Sequence, residues 1–189
     1  MIFAVYLFPA LLPSGSDKAR LLSGFSPPSF YSVYQKSNDC PLGLNCFKDF
    51  DSGLSYAQSQ DKPILLDFTG YACVNCRKME EHVWPLKSIK TYFEDEYVLI
   101  SLYVDDKKEL PSNQQLTVKR FDGGSRVLKN YGHKWSHFQT EFFQSNSQPY
   151  YVLMDSEANT LLAPAVGYTP NSKDYEAFLK CGLESLKSL

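Results

Sequence analysis

Runs of apolar residues divide the chain into segments of strand length. The runs at 63–68 and 97–104 are short and continuous, which is typical of strands buried at the centre of a sheet. A third run at 150–154 is followed by a polar turn at 155–159, and residues 161–166 can pair back across it as the next strand of a hairpin. These runs predict four strands.

Between the apolar runs, apolar residues recur at spacings of three and four, which is typical of amphipathic helices. The helices predicted in this way are 49–60, Cys73 to Pro85, 86–93, 135–143 and a last helix capped by Asn171 or Ser172. Helices that alternate with strands indicate parallel pairing, and the closing hairpin adds antiparallel strands. We therefore predict an α/β fold with a central mixed β-sheet flanked by helices on both faces.

The N-terminal part of the chain differs from the rest. Residues 1–12 are uncharged and mostly apolar, but a bilayer span needs about 20 such residues. We interpret them as the end of a truncated transmembrane helix; a signal peptide or lipoprotein-like leader and an apolar arm packed on the domain are the alternatives. Residues 13–39 are rich in Ser, Pro, Gly and Tyr, which predicts a linker or extended arm. The folded domain is expected over 40–189, with a charged, polar loop or insertion at 105–130.

Composition narrows the classes of function. Aromatic residues make up 15% of the 189 residues, which argues against disorder. The 19 basic and 21 acidic residues give a net charge of -2, so the chain as a whole lacks the basic footprint of a nucleic-acid-binding protein. Five cysteines are an odd number in a chain of this length, which does not indicate a disulfide scaffold.

Two of the cysteines form the motif Cys73-Val74-Asn75-Cys76 at a predicted strand-to-helix junction. Unpaired N–H groups and the helix dipole in a first helical turn favour an anion, so the pKa of the Cys73 thiol is expected to fall. Cys76 lies one turn further along and can attack a mixed disulfide held on Cys73. We predict Cys73 as the nucleophile and Cys76 as the resolving thiol of a redox-active pair.

Two cysteines at this spacing also occur in sites without redox activity. Haem attachment would need a histidine after Cys76, where the chain has Arg77. A zinc site would need two more ligands, and Cys40 with Cys46 has poor spacing for it. A passive structural disulfide is the third alternative. We expect no metal and no cofactor beyond the cysteine pair itself.

Two acidic residues are placed to tune the thiols. Asp67 ends the buried strand, where loss of hydration should raise its pKa, and it could relay a proton to or from Cys76. Glu80 follows Cys76 by four residues on the same helix face, where its charge would raise the thiol pKa. The alternatives are a structural buried acid at Asp67 and a solvated helix residue at Glu80.

The segment from Asp67 to Glu80 (Asp-Phe-Thr-Gly-Tyr-Ala-Cys-Val-Asn-Cys-Arg-Lys-Met-Glu) resembles the active-site segment of the thioredoxin superfamily. It is most similar to the C-terminal, periplasm-facing domain of DsbD-type thiol:disulfide interchange proteins. Residues 102–106 and 148–151, and the apolar run before the domain, share this resemblance, which covers roughly 45–187.

The resemblance implies a thioredoxin-like fold and a thiol-disulfide oxidoreductase, specifically a protein-disulfide reductase. Such a protein takes electrons from an upstream membrane electron-transfer domain and passes them to periplasmic disulfide-bearing proteins. The implied location is the periplasmic side of the inner membrane of a Gram-negative bacterium, with membrane attachment in the full-length protein. An oxidase or isomerase of the same fold, and a non-catalytic thioredoxin-like binding module, are the alternatives.

The resemblance also implies roles for single residues. Asp67 and Glu80 are the acids that tune the nucleophile, and Pro149 is the cis-proline. Gln148-Pro149 and Tyr71-Ala72 are the segments expected to contact the partner protein's thiols and disulfides. Ala72 stands where many thioredoxins carry Trp, and 106–147 is longer than the minimal fold needs, so the partner-facing surface is expected to differ.

The remaining cysteines lie outside the motif. Cys40 and Cys46 enclose a short loop, and a structural disulfide, free thiols and a second redox relay pair all fit that spacing. Cys181 is predicted to be a buried free thiol on the inner face of the last helix.

Overall fold

A computed structural model describes residues 40–120 and 123–189 of the chain. The predicted segments 1–12 and 13–39 lie outside the described residues. In the described part, no helix combines the length and the apolar character that a membrane span requires.

The main sheet has four strands, β1 (Cys46–Phe47), β2 (Ile64–Thr69), β3 (Val98–Tyr103) and β6 (Tyr150–Met154). Their order across the sheet is β1-β3-β2-β6. β1 and β2 each pair in parallel with β3, and β6 pairs antiparallel with β2. The predicted mixed sheet is confirmed, and β1 is an edge strand too short for an apolar pattern to indicate.

Helices cover both faces of this sheet. They are α1 (Phe50–Gln60), α2 (Val74–His82), α3 (Lys87–Thr91, continued by a π-turn over Tyr92–Glu96), α4 (Tyr131–Phe143) and α5 (Ser172–Leu186). Leu65 of β2 packs with α2, α3 and α5, whereas Leu66 and Phe68 pack on the opposite face with α1 and α4. Because side chains alternate along a strand, Asp67 shares the face of Leu65 and lies beneath α2.

The segment 105–130 is more ordered than a loop. It contains a second sheet, a hairpin of β4 (Thr117–Lys119) and β5 (Ser125–Val127). Helix α4 then begins four residues earlier than predicted, because the Asn130 side chain accepts a hydrogen bond from the His133 N–H over 2.8 Å. Gly132 in its first turn lies against the 104–106 backbone, where an added Cβ would be 2.7 Å from the Val104 and Asp106 carbonyl oxygens.

The predicted strand at 161–166 is wrong in one respect. Only isolated bridges pair it with β6, between Tyr151 and Val166 and between Met154 and Leu161. Pro164 has no N–H to donate, so a continuous ladder cannot form along this segment.

The prediction for Cys181 is also wrong, because its side chain is exposed. The inner face of α5 carries Tyr175, Phe178, Leu179 and Gly182, and the helical period turns Cys181 away from it. An added Cβ at Gly182 would lie 2.5 Å from the Leu153 side chain, so a larger residue would not fit at this position without a shift.

A disulfide joins Cys40 to Cys46 just before and within β1. The register places Cys46 level with Leu99 and so with Leu65, four residues from the end of β2 and two strands away. That offset separates Cys46 from Thr69 by on the order of 16 Å. Because exchange requires sulfur atoms in contact, the placement favours a structural disulfide over a relay pair.

Replacing Cys40 and Cys46 together by serine should lower the free energy of unfolding by about 2 kcal/mol, because the unfolded chain loses a short cross-link. Urea unfolding at fixed pH measures the change. Cys181→Ser is the matched control, since its exposed thiol constrains nothing, and it should leave the midpoint unchanged. An unchanged midpoint in the double variant would contradict a stabilising role.

Candidate active site

The Cys73-Val74-Asn75-Cys76 segment forms the junction between β2 and α2. Cys73 is the residue that caps α2, and its Sγ accepts a hydrogen bond from the Cys76 N–H over 3.1 Å. The two cysteines are joined by a disulfide with their Cα atoms 5.2 Å apart. Cys73 is therefore at the helix end whose free N–H groups stabilise a thiolate.

The two sulfur positions differ in access to solvent. Cys73 is half-buried, whereas Cys76 is only 1% exposed. A partner's sulfur can reach Cys73 from solvent, but Cys76 can be reached only through Cys73 or by movement of α2. This asymmetry matches the predicted order of attack, in which Cys73 reacts with the partner and Cys76 releases it.

Asp67 is buried beneath α2 at 1% exposure. Its Oδ2 accepts a hydrogen bond from the Ser101 hydroxyl over 3.1 Å, whereas its Oδ1 is buried without a hydrogen-bond partner among the described residues. Burial raises the pKa of Asp67 to about 7, although the Ser101 hydrogen bond and the charge of Arg77 act in the opposite direction. A carboxyl with this pKa can gain or lose a proton near neutral pH.

Glu80 is not a solvated helix residue, because Arg77 and Glu80 form a buried ion pair within α2. The Nη1 atom of Arg77 lies 2.5 Å from Oε2 of Glu80, and the Nη2 atom lies 2.5 Å from Oε1. Burial raises the pKa of Glu80, and the guanidinium of Arg77 opposes that shift. The cation of Arg77 therefore offsets the negative charge that the sequence alone places near Cys76.

Arg77 was missed as a site residue. Its side chain is 3% exposed and also reaches the Gly70 carbonyl oxygen at 3.5 Å, in the turn that leads to Cys73. The signal in the sequence was a basic residue three positions before an acidic one, Arg77 before Glu80, on the same face of the predicted helix.

Asp105 holds the turn before the dithiol and was also missed. Its Oδ1 accepts a hydrogen bond from the Tyr71 N–H over 2.8 Å, and its Oδ2 accepts one from the Ala72 N–H over 2.9 Å. Parallel strands end at the same edge of a sheet, so a carboxylate just after β3 comes to the loop that follows β2. The signal in the sequence was an acidic residue directly after the strand predicted over 97–104.

The aromatic ring of Tyr71 is fixed by a second set of contacts. It stacks on the ring of Tyr103, with centroids 4.2 Å apart, and the Lys48 ammonium lies 5.1 Å from the Tyr103 centroid. Tyr71 is half-buried and Ala72 is exposed, so the predicted partner-facing segment is accessible beside Cys73.

Removing the Asp105 carboxylate should loosen this turn. We expect Asp105→Ala to lower the free energy of unfolding by about 1–3 kcal/mol, because two N–H groups lose a charged acceptor. Disulfide exchange should slow as well, since Cys73 is no longer held at the helix end. Asp106→Ala is the control: among the described residues, its carboxylate accepts a hydrogen bond only from the Lys108 N–H on the surface loop. Equal effects on stability and rate from both variants would contradict the role of Asp105.

The Gln148–Pro149 peptide bond is cis, as the resemblance implies. Pairing of Phe68 with Tyr150 puts Pro149 opposite Thr69, at the end of the sheet from which the chain runs to Cys73. The Gln148 side-chain amide donates to Gln139 Oε1 over 2.9 Å, and Gln139 Nε2 donates to the Ser147 carbonyl oxygen over 2.9 Å. Gln139 is fully buried, so it anchors the proline loop to α4.

Within residues 40–120 and 123–189, no group of three or more His, Cys, Asp or Glu side chains is placed to hold a metal ion.

Comparisons with solved structures found three proteins that this chain resembles in part. A structure described as DsbH oxidoreductase is 18% identical, with a TM-score of 0.53 over 81% of this chain and 93% of its own. A thioredoxin from Thermus thermophilus is 14% identical over 71% and 84% of the two chains, with a TM-score of 0.49. A disulphide isomerase from Xylella fastidiosa Temecula1 is 14% identical over 73% and 86%, with a TM-score of 0.38.

No curated protein matches the chain in sequence. The family model for the thioredoxin-like domain, in contrast, matches residues 50–181, which include α1, the dithiol, the cis-proline and most of α5. The chain therefore belongs to the family of thioredoxin-like domains.

Proposed function

We propose that the protein is a protein-disulfide reductase. The observation that carries this proposal is the unequal exposure of the two cysteines at the start of α2, with Asp67 buried on the sheet face that α2 covers. Such a pair can accept a partner disulfide at Cys73 and then resolve it from within.

The exchange takes two steps. The Cys73 thiolate attacks one sulfur of the partner disulfide, which forms a mixed disulfide and releases the other partner sulfur as a thiolate. The Cys76 thiolate then attacks Cys73 Sγ, which closes the Cys73–Cys76 disulfide and releases the second partner sulfur. Asp67, with its pKa raised to about 7, takes the proton from the Cys76 thiol in the second step. The partner gains two electrons and the protein loses two.

The partner binds beside the dithiol in this proposal. The accessible Tyr71-Ala72 turn and the backbone of Gln148 next to cis-Pro149 form the contact surface, with partner backbone pairing as an added strand. The side chain of Ala72 is a single methyl group, whereas a larger side chain at this position would restrict the approach of the partner to Cys73.

We also propose that the protein works on the periplasmic side of a bacterial inner membrane, re-reduced by an upstream membrane electron-transfer domain as in DsbD-type proteins. The supports are the resemblance of the dithiol segment, the apolar residues 1–12 and the Cys40–Cys46 disulfide, which is typical of an oxidising compartment.

The reduction potential of the Cys73–Cys76 pair tests the direction of electron flow. The protein is equilibrated with dithiothreitol or glutathione buffers and alkylated, and the peptide that contains both cysteines is quantified by mass spectrometry. A reductase is expected to have a reduction potential of about -270 mV, whereas a potential of about -120 mV would identify an oxidase. If the pair does not exchange with either buffer, the protein is instead a binding module with a structural disulfide.

A further inference from the structure

A cleft lies between the β4–β5 hairpin and helix α4. We call it the basic cleft, and its lining includes Lys119, Arg120, Ser125, Arg126, His137 and Asn146. Its volume is about 670 Å³, which is enough for several side chains of an extended peptide. The cleft is a feature of the segment between β3 and α4, where the chain departs from the minimal fold.

The charge of this cleft departs from that of the whole protein. The chain carries a net charge of -2, yet the hairpin contributes the exposed Lys119 and Arg126 to the cleft, from opposite faces of the two-stranded sheet, and Glu141 is the one carboxylate among the described lining residues. At the neighbouring His133, burial and then the positive charge of Arg126 lower the pKa. The local potential is therefore positive, which favours an acidic ligand.

The cleft ends at the start of the loop that carries the cis-proline. Asn146 lines the cleft, and Ser147 and Gln148 follow it directly. Both of these residues are hydrogen-bonded to the buried Gln139 of α4, over 2.9 Å each. A segment that lies in the cleft is thus adjacent to the backbone proposed to pair with a partner disulfide.

We propose that the basic cleft docks an acidic segment of the partner protein, close in sequence to the disulfide that Cys73 attacks. This inference rests on the proposed function and names the class of its substrate. Charge complementarity along the cleft would hold the partner in register on the Gln148–Pro149 backbone and speed its encounter.

The test compares two synthetic peptides that carry the same disulfide. One has flanking Asp and Glu residues, and the other has Asn and Gln in their place. The value of kcat/KM for the acidic peptide is expected to be about tenfold higher than that for the neutral peptide. High salt should remove this preference. Anisotropy with a cysteine-free acidic peptide measures docking without any exchange.

The variant Lys119→Glu with Arg126→Glu should lose the preference and the docking. It should retain the wild-type rate with the neutral peptide and with a small aromatic disulfide. The matched control is Lys173→Glu with Lys187→Glu, which makes the same change in net charge on α5 and just beyond it, and it should keep the preference.

Each outcome separates the two proposals. Equal rates with both peptides, or a preference that persists in the cleft variant, would overturn the docking surface and leave the reductase intact. Failure to reduce either peptide or the small disulfide would overturn the proposed function, and the binding measurement alone would then decide whether the cleft takes acidic segments.

Discussion

Replacing Cys73 by serine is expected to reduce disulfide exchange to the background rate, a loss of roughly 10³-fold or more. A serine hydroxyl stays protonated near neutral pH and does not attack a disulfide, so no group remains at this position that can react with the partner. Cys76 cannot substitute, because it lies in the first turn of α2 with only 1% of its surface exposed. Turnover of a protein disulfide with excess dithiothreitol measures the loss.

Replacing Cys76 by serine should have a different effect. Cys73 still attacks, but no second thiol resolves the product, so a mixed disulfide with the partner accumulates. Non-reducing electrophoresis followed by mass spectrometry detects that adduct and identifies the linked cysteine. Cys181→Ser is the control and should turn over at the wild-type rate. Retained activity in the Cys73 variant, or an adduct on a cysteine other than Cys73, would refute the assigned roles.

Replacing Asp67 by asparagine is expected to stabilise the protein at alkaline pH. A buried carboxyl whose pKa is raised keeps its proton in the folded state at pH values where the unfolded chain has released it. The free energy of unfolding of the wild type should therefore fall as the pH rises from about 4 to about 7, by about 4 kcal/mol for a shift from 3.8 to about 7. Asparagine has no proton to release, so this loss disappears.

Urea unfolding of the oxidised protein across this pH range checks the expectation. The variant should exceed the wild type in stability at pH 8, with the difference closing near pH 4. Asp95→Asn, at an exposed position, is the control and should keep the wild-type pH dependence. Parallel curves for wild type and Asp67→Asn would show that burial of this carboxyl does not set the pH dependence.

The same variant separates a proton relay from a structural acid. If Asp67 takes the proton from Cys76, Asp67→Asn should slow resolution and let the mixed disulfide accumulate near pH 7, while attack by Cys73 keeps its rate. A structural acid would change stability alone. Quenched-flow trapping of the intermediates by alkylation measures the rate of each step and distinguishes these results.

Much of the fold was predictable because its signals are local. The continuous apolar runs of β2 and β3 reflect burial on both sheet faces, and the period of α5 placed Tyr175 and Phe178 inward. Local rules also account for two errors. The missing N–H of Pro164 breaks the last predicted strand, and Asn130 starts α4 before the periodic pattern becomes visible.

The dithiol, its place at a strand-to-helix junction and the buried acid behind it could be predicted from the residues alone, since they depend on spacing within a few positions. Their surroundings depend on the folded domain. Asp105 reaches the Tyr71 N–H from 34 residues away, and Gln139 holds the cis-proline loop from α4. Such contacts depend on strand register and on how closely a helix approaches the sheet. No local pattern encodes either, because both result from packing the whole domain.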